Sequence, residues 1–217
     1  MRGRLTLAAL FVAAALAIGG FKSYSRGESA TQNSSSGAAP NANVPTDRVS
    51  LSPAEVQVAA AAGFLPSDTR SILKIDRALR HGEFVWNDRE VPAGPVVVAV
   101  DLRSQMISVF RAGHEIGSAV ILYGAEGHES PLGTYPVRSK ARMHRSITYD
   151  DAPMPFTLWL TDDGVAIHGS DIRWGVATHG CIGIPPKFAE HLFGAVHVGD
   201  PVTIIRSPDP RSSIGTT

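Results

Sequence analysis

The second half of the chain alternates apolar and polar residues, and this alternation limits the fold more than any other feature. It begins after Pro95, in VVVAVDLRSQMISVFRAGHEIGSAVILYG, with turn residues near 102–104 and 112–113. Successive side chains of a strand point to opposite faces, so the pattern predicts three neighbouring β-strands. Further short strands are predicted in GTYPVRSK, PFTLWLTDDGVAIHG and DPVTIIRS. The sequence therefore predicts a mainly β domain over residues 94–207.

Helical patterns are few. Within the predicted β domain, only PPKFAEHLFGAV has the apolar face of a helix. Before it, residues 51–93 are predicted to be a short helical segment that packs on the β domain. Ser52 and Glu55 have capping-box spacing ahead of one helix, and a second capping signal at 67–68 is followed by TRSILKIDRALRHG.

The two ends of the chain have other compositions. Residues 1–22 carry Arg2 and Arg4 before an unbroken apolar run, which is typical of a signal peptide or an N-terminal membrane anchor. Residues 23–50 are small and polar and predict a disordered linker, and residues 208–217 predict a flexible tail. We therefore expect export to the periplasm or cell envelope, with membrane contact only through an uncleaved anchor.

Charge and cysteine content narrow the function classes. Lys and Arg together number 20, as do Asp and Glu, so no strong field favours nucleic acid as a partner. The chain has one cysteine and can form no intramolecular disulfide. A single thiol in an exported protein is either buried and inert or reactive.

That cysteine, Cys181, lies in ATHGCIGIP beside candidates for catalytic partners. A thiol attacks carbonyl carbon as the thiolate, so it needs a nearby base or positive charge. His168 ends a predicted strand, and His179 lies in the cysteine turn itself. Gly180 leaves room for a substrate and lets backbone N–H groups face a developing oxyanion. We expect the histidines to lower the pKa of the Cys181 thiol.

Two other interpretations of these residues stay open on spacing alone. Cys181 could be an inert core thiol, or His168, His179 and Cys181 could be three ligands of a zinc ion. Against zinc, the chain has neither C-x-x-C nor H-E-x-x-H. We expect no metal and no cofactor.

The order of short motifs resembles a known family. IHGS, followed after a short loop by THGCIGIP, resembles the signature of YkuD-type L,D-transpeptidases, and SPLGTYPV resembles their upstream segment. The resemblance implies a catalytic domain built as a β-sandwich or mixed sheets with few helices, which acts on peptidoglycan stem peptides. In this family a cysteine attacks the third residue of a tetrapeptide stem, releases the terminal D-alanine and passes the acyl group to an amine.

The resemblance also implies roles for individual residues. These are Cys181 as nucleophile, His168 as base, the Gly169 carbonyl as its orienting group, His179 and Gly180 at the oxyanion site, and Thr178 as support for the turn.

Other residues are predicted to shape the substrate pocket. Met154 is placed in an acyl-donor groove and Tyr149 as a donor to an oxyanion. Trp174, in the nine-residue spacer between His168 and Thr178, is placed as a pocket wall. Many relatives have Arg or Asn where this chain has Gly183. We expect that glycine either to widen the acyl pocket or to supply a positive φ.

The leading hypothesis is therefore an exported cysteine acyltransferase that cross-links stem peptides through a Cys181 thioester. The first alternative uses water as the acceptor, as in an L,D-carboxypeptidase or a murein amidase. The second is a non-catalytic module that only binds the cell wall.

Overall fold

The computed structural model describes residues 47–63, 65–147 and 151–208. These residues form two sheets and two helices. The larger sheet contains β1 (Arg48–Ser50), β2 (Ser71–Leu73), β3 (Phe84–Trp86), β4 (Val96–Asp101), β5 (Met106–Arg111), β6 (His114–Val120), β7 (Gly133–Pro136) and β12 (Pro201–Ile205). The smaller sheet contains β8 (Ser139–Ala141), β9 (Thr157–Trp159), β10 (Ala166–Gly169) and β11 (Ile182–Ile184). The helices are α1 (Pro53–Ala61) and α2 (Pro186–Ala195).

Both sheets are mixed. The larger sheet has the order β1-β2-β6-β5-β4-β12-β7, with β3 also paired to β6, and the smaller has the order β11-β10-β9-β8. The pairs β2–β6, β4–β12 and β10–β11 are parallel, and the other strand pairs are antiparallel. The prediction of a mainly β fold with mixed sheets and few helices is confirmed.

The main core contains side chains from both sheets and from α2. Val98 and Val100 of β4 and Ile107 of β5 are fully buried, as the predicted alternation requires. The smaller sheet contributes Ile167 and Ile182 to the same core. One face of each sheet is therefore buried, and the smaller sheet's other face is left to carry functional side chains.

The structure bears out the first predicted helix and overturns the second. In α1, the Ser52 hydroxyl accepts from the Glu55 backbone N–H, and the Glu55 carboxylate accepts from the Ser52 N–H at 2.8 Å. The predicted second helix instead contains β2, which pairs with β1 and β6. Its amphipathic spacing fits a helix, but the backbone of Leu73 finds a buried partner in the Glu115 carboxylate at 2.9 Å.

The segment before residue 94 is thus built into the larger sheet. β1 includes residues 48–50, which the sequence places in the linker, and the Arg48 guanidinium donates to the Glu115 carbonyl at 2.5 Å. Outside the described residues lie the predicted signal peptide or anchor and most of the predicted linker and tail. Across the described ranges, no helix has the length and apolarity needed to cross a membrane.

Candidate active site

The parallel pairing of β10 with β11 places the two motif segments side by side. His168 is opposite Gly183, and Ile167 is opposite Ile182. Paired residues of neighbouring strands project to the same face, and successive residues alternate. Ile167 and Ile182 point into the core, so His168 and Cys181, which directly precedes β11, lie on the opposite face. The fold therefore brings together two side chains that are 13 positions apart in sequence.

This face opens into a cleft of about 810 Å³. Candidate catalytic residues and residues from three connecting loops share its lining, which consists of His144, Ser146, Ile147, Ala152, Pro153, Met154, Trp159, Asp163, Gly164, Val165, His168, Ser170, Asp171, Thr178, His179 and Cys181. The volume lies within the range of sites for small molecules and short peptide arms.

The cysteine turn is tied to the segment that connects β6 to β7. Thr178 donates its backbone N–H to the Tyr123 carbonyl at 3.0 Å, and its own carbonyl accepts from Ala125 at 3.0 Å. The Thr178 hydroxyl closes the turn by donating to the Cys181 carbonyl at 2.5 Å. Gly180 has φ +110°, a conformation that strains any residue with a side chain. These bonds fix the thiol at the cleft wall.

The hydrogen bonds of His168 set its tautomer. Its Nδ1 lies 3.0 Å from the Gly169 carbonyl oxygen and 3.2 Å from the Ser170 hydroxyl. A carbonyl oxygen can only accept, so Nδ1 carries the proton and Nε2 keeps a lone pair. Burial lowers the pKa of His168, the bond to Gly169 opposes this, and the charge of His144 lowers it further. His168 is therefore a neutral base at pH 7.

Burial also raises the pKa of the Cys181 thiol, although a backbone hydrogen bond from Ala166 partly lowers it. The expectation of a lowered thiol pKa is thus wrong. Desolvation disfavours the thiolate more than the surrounding donors stabilise it. In the resting site the thiol Sγ lies 3.8 Å from the Gly164 carbonyl, to which it donates a weak hydrogen bond. The site therefore holds a neutral thiol and a neutral imidazole.

The predicted pocket residues have different positions. Met154 lines the cleft. Trp174 does not: its side chain is 70% exposed and meets the ring of His81 edge-on at 5.7 Å. Within the spacer, Ser170 and Asp171 line the cleft, whereas residues 172–177 do not. Tyr149 lies outside the described residues.

Gly183 meets neither expectation. It lies within β11, does not line the cleft, and has no left-handed backbone conformation. An added Cβ would come within 3.0 Å of the Ser170 Cβ and Oγ, and within 3.3 Å of the Leu122 Cβ. The glycine is required because neighbouring side chains approach its backbone closely.

The β8–β9 connection, which contains the predicted pocket residue Met154, brings to the cleft a further residue that sequence reasoning missed. That residue is His144, which lines the cleft and meets Trp159 edge-on at 4.8 Å. The connection is held to the site because Gly169 donates its N–H to the Pro155 carbonyl at 2.8 Å. The order of the strands could have indicated this contact. Because β9 and β10 are antiparallel, the connection that enters β9 lies at the same end of the sheet as the last residue of β10.

Histidines also meet at the other side of the cysteine turn. The rings of His128 and His179 lie 5.0 Å apart, edge to face. Among the side chains that the structure describes, no three His, Cys, Asp or Glu are grouped as metal ligands. The zinc set of His168, His179 and Cys181 is therefore not assembled.

Residues 95–204, more than half of the 217-residue chain, match the YkuD family, described as the L,D-transpeptidase catalytic domain. The chain belongs to the YkuD family. The matched range includes both segments of the motif and every described strand from β4 to β11. Comparison with curated proteins gives no match.

Several solved structures are similar to this YkuD chain. An L,D-transpeptidase (Yku) from Stackebrandtia nassauensis is 23% identical, with 54% of this chain and 58% of that chain covered and a TM-score of 0.49. An L,D-transpeptidase from Mycobacterium tuberculosis is 24% identical, with coverage of 50% and 57% and a TM-score of 0.47. One from Mycobacterium smegmatis is 21% identical, with coverage of 50% and 58% and a TM-score of 0.46. The chain thus spans less than two thirds of the length of these proteins.

Proposed function

We propose that this YkuD protein is an exported L,D-transpeptidase that cross-links peptidoglycan stem peptides through a thioester on Cys181. One observation carries the proposal. Within the family domain, a thiol and an imidazole with a free Nε2 line the same cleft. A module that only binds the cell wall would need neither group.

Acylation begins from the neutral pair. His168 Nε2 removes the thiol proton as Sγ attacks the carbonyl carbon of the third stem residue. The oxyanion that develops is stabilised by backbone N–H groups of the turn formed by His179, Gly180 and Cys181. When the intermediate collapses, the C–N bond breaks and the proton held on His168 passes to the departing amine. D-alanine leaves, and the acyl group remains on Sγ.

Deacylation repeats these roles with a new amine. The acceptor amine of a neighbouring stem attacks the thioester carbonyl, and His168 takes the proton that the amine loses. The C–S bond breaks, and the sulfur recovers a proton from the imidazolium. Neutral thiol and neutral imidazole are restored, so the cycle balances without a redox partner.

The test is incubation of the purified full-length protein with tetrapeptide muropeptides, followed by mass analysis of the products. The proposal predicts loss of D-alanine together with a cross-linked dimer. Removal of D-alanine with only tripeptide formed would show that water, not an amine, is the acceptor. No change in the muropeptides would contradict the proposed reaction.

Export is the second part of the proposal and is supported by Arg2, Arg4 and the apolar run that follows them. It is tested by protease treatment of cells with a permeabilised outer envelope and an intact inner membrane. Exported protein should be digested under these conditions. Protection equal to that of a cytoplasmic marker would contradict export.

A further inference from the structure

We infer that the Ser170 hydroxyl is a positioning group for His168, and that Gly183 lacks a side chain so that this hydroxyl can reach the imidazole. The inference rests on the proposed function, in which His168 is the base. It gives His168 Nδ1 a side-chain acceptor besides the Gly169 carbonyl. It also gives a physical reason for a glycine at position 183, two residues after Cys181.

The placement of Ser170 comes from the smaller sheet. Ser170 follows β10 by one residue and projects to the same face as His168, two positions earlier. Its backbone N–H donates to the Ile184 carbonyl at 2.7 Å, which holds it against the end of β11. Its Oγ then lies 3.2 Å from His168 Nδ1.

The direction of this hydrogen bond follows from the tautomer. Because the Gly169 carbonyl can only accept, Nδ1 carries a proton, and Ser170 Oγ is a second acceptor for the same N–H. An acceptor at Nδ1 stabilises the imidazolium more than the neutral ring, because bonds to charged groups are stronger. Imidazolium forms at each attack on a carbonyl, so Ser170 should aid both half-reactions.

Gly183 makes this arrangement possible. It lies opposite His168 in the parallel pair, on the face that carries Cys181 and Ser170. An added Cβ would meet Ser170 Cβ and Oγ at 3.0 Å, closer than nearly all real Cβ contacts. The opposite neighbour, Leu122, is bonded to Gly183 by two backbone hydrogen bonds of 2.9 and 3.0 Å and cannot move away freely. A side chain at 183 would therefore displace the Ser170 hydroxyl.

The variants are Ser170→Ala, which removes the acceptor, Ser170→Thr, which keeps it, and Gly183→Ala, which displaces it. Gly194→Ala is the matched glycine control, since a Cβ added there meets nothing within 4 Å. The readouts are kcat for D-alanine release, the acid limb of kcat/KM, and NMR titration of His168. None of the four variants replaces another titratable residue that lines the cleft. These residues are His144, Asp163, Asp171, His179 and Cys181.

We expect Ser170→Ala and Gly183→Ala each to lower kcat about 3- to 10-fold, the value of one hydrogen bond. Both should move the His168 titration to lower pH, whereas Ser170→Thr should keep the wild-type titration and Gly194→Ala should match the wild type in every readout. An unchanged His168 titration in folded Ser170→Ala would overturn the inference. NMR separates it from the proposed function, because that titration needs no turnover, whereas an inactive wild type would contradict the proposed function alone.

Discussion

Burial shifts the pKa of two titratable groups, His168 in the cleft and Glu115 in the larger sheet, and the shift has different consequences at the two positions. Burial lowers the pKa of His168 and raises that of Glu115 to about 6, so at both positions it disfavours the charged form. His168 keeps Nε2 available toward the cleft. Glu115 accepts from the Leu73 N–H and hydrogen-bonds the Ser108 side chain, and it does not line the cleft.

His168 and Glu115 differ in what their polar atoms contact. In the proposed reaction, His168 and Cys181 start as neutral groups and exchange one proton when the thiol attacks the substrate. Around Glu115, hydrogen bonds join β2 to β6 and fasten the segment before residue 94 to the family domain. Perturbation of the first group should change the reaction, and perturbation of the second should change stability.

The largest effect should come from Cys181→Ala. Loss of the nucleophile should lower kcat by at least about 10³-fold, since the rest of the site supplies only residual catalysis. The melting temperature should stay close to that of the wild type, because the thiol is half-exposed and its hydrogen bond to the Gly164 carbonyl is weak. Activity is measured by D-alanine release and folding by circular dichroism. Undiminished turnover would end the assignment of Cys181.

His168→Gln should have the next largest effect, a loss of about 10² to 10³-fold in kcat. In the Cys181→Ala background, the same change should cost almost nothing more, because the two groups act as one unit. The measurement is a double-mutant cycle on D-alanine release. Independent, multiplicative losses would show that His168 does not act on the thiol.

Glu115 should control the pH dependence of stability. Its folded pKa of about 6 exceeds the ordinary value of 4.5, so its stabilising contribution is complete below pH 4.5 and is lost as pH rises through 6. The shift corresponds to about 2 kcal/mol in the free energy of unfolding. Glu115→Gln keeps an acceptor for Leu73 and should gain stability relative to wild type at pH 7 but not at pH 4.

Urea unfolding at the two pH values checks this, with Glu126→Gln, at an exposed glutamate, as the matched control. Equal stability differences at pH 4 and pH 7 would contradict the role given to Glu115. Activity per folded molecule should not change, since Glu115 does not line the cleft.

The smallest expected effect is on the rate at which the Cys181 thiol is alkylated. With its pKa raised by burial, Cys181 should be alkylated at pH 7 several-fold more slowly than free cysteine. The midpoint of the alkylation rate against pH should lie above the ordinary thiol pKa. A midpoint below it would mean that a thiolate–imidazolium pair forms in the resting site, contrary to the neutral pair described above.

The sequence predicted the secondary structure correctly where the local residue pattern and the tertiary contacts favour the same element. Alternation predicted β4, β5 and β6, and the spacing of Ser52 and Glu55 predicted the start of α1. The segment containing β2 failed because Ile72, Ile75 and Leu79 have helical spacing. There, pairing with β6 and the buried bond from Leu73 to Glu115 outweigh intrinsic propensity.

Only part of the candidate site could be predicted from the sequence. The motif residues Cys181 and His168 could be named, but the desolvation that keeps both neutral depends on burial, which a motif does not encode. Gly183 was misread for a similar reason. Its neighbours, Ser170 and Leu122, are adjacent only after β10 and β11 pair.

The thioester is the central claim, and intact-protein mass spectrometry tests it most directly. Full-length protein is mixed with a tetrapeptide donor without an acceptor amine and quenched in acid. The account predicts a covalent adduct with the mass of the donor less D-alanine. The adduct should map to Cys181, be released by hydroxylamine and be absent in Cys181→Ala. D-alanine release with no such adduct, or an adduct that persists in Cys181→Ala, would contradict the account.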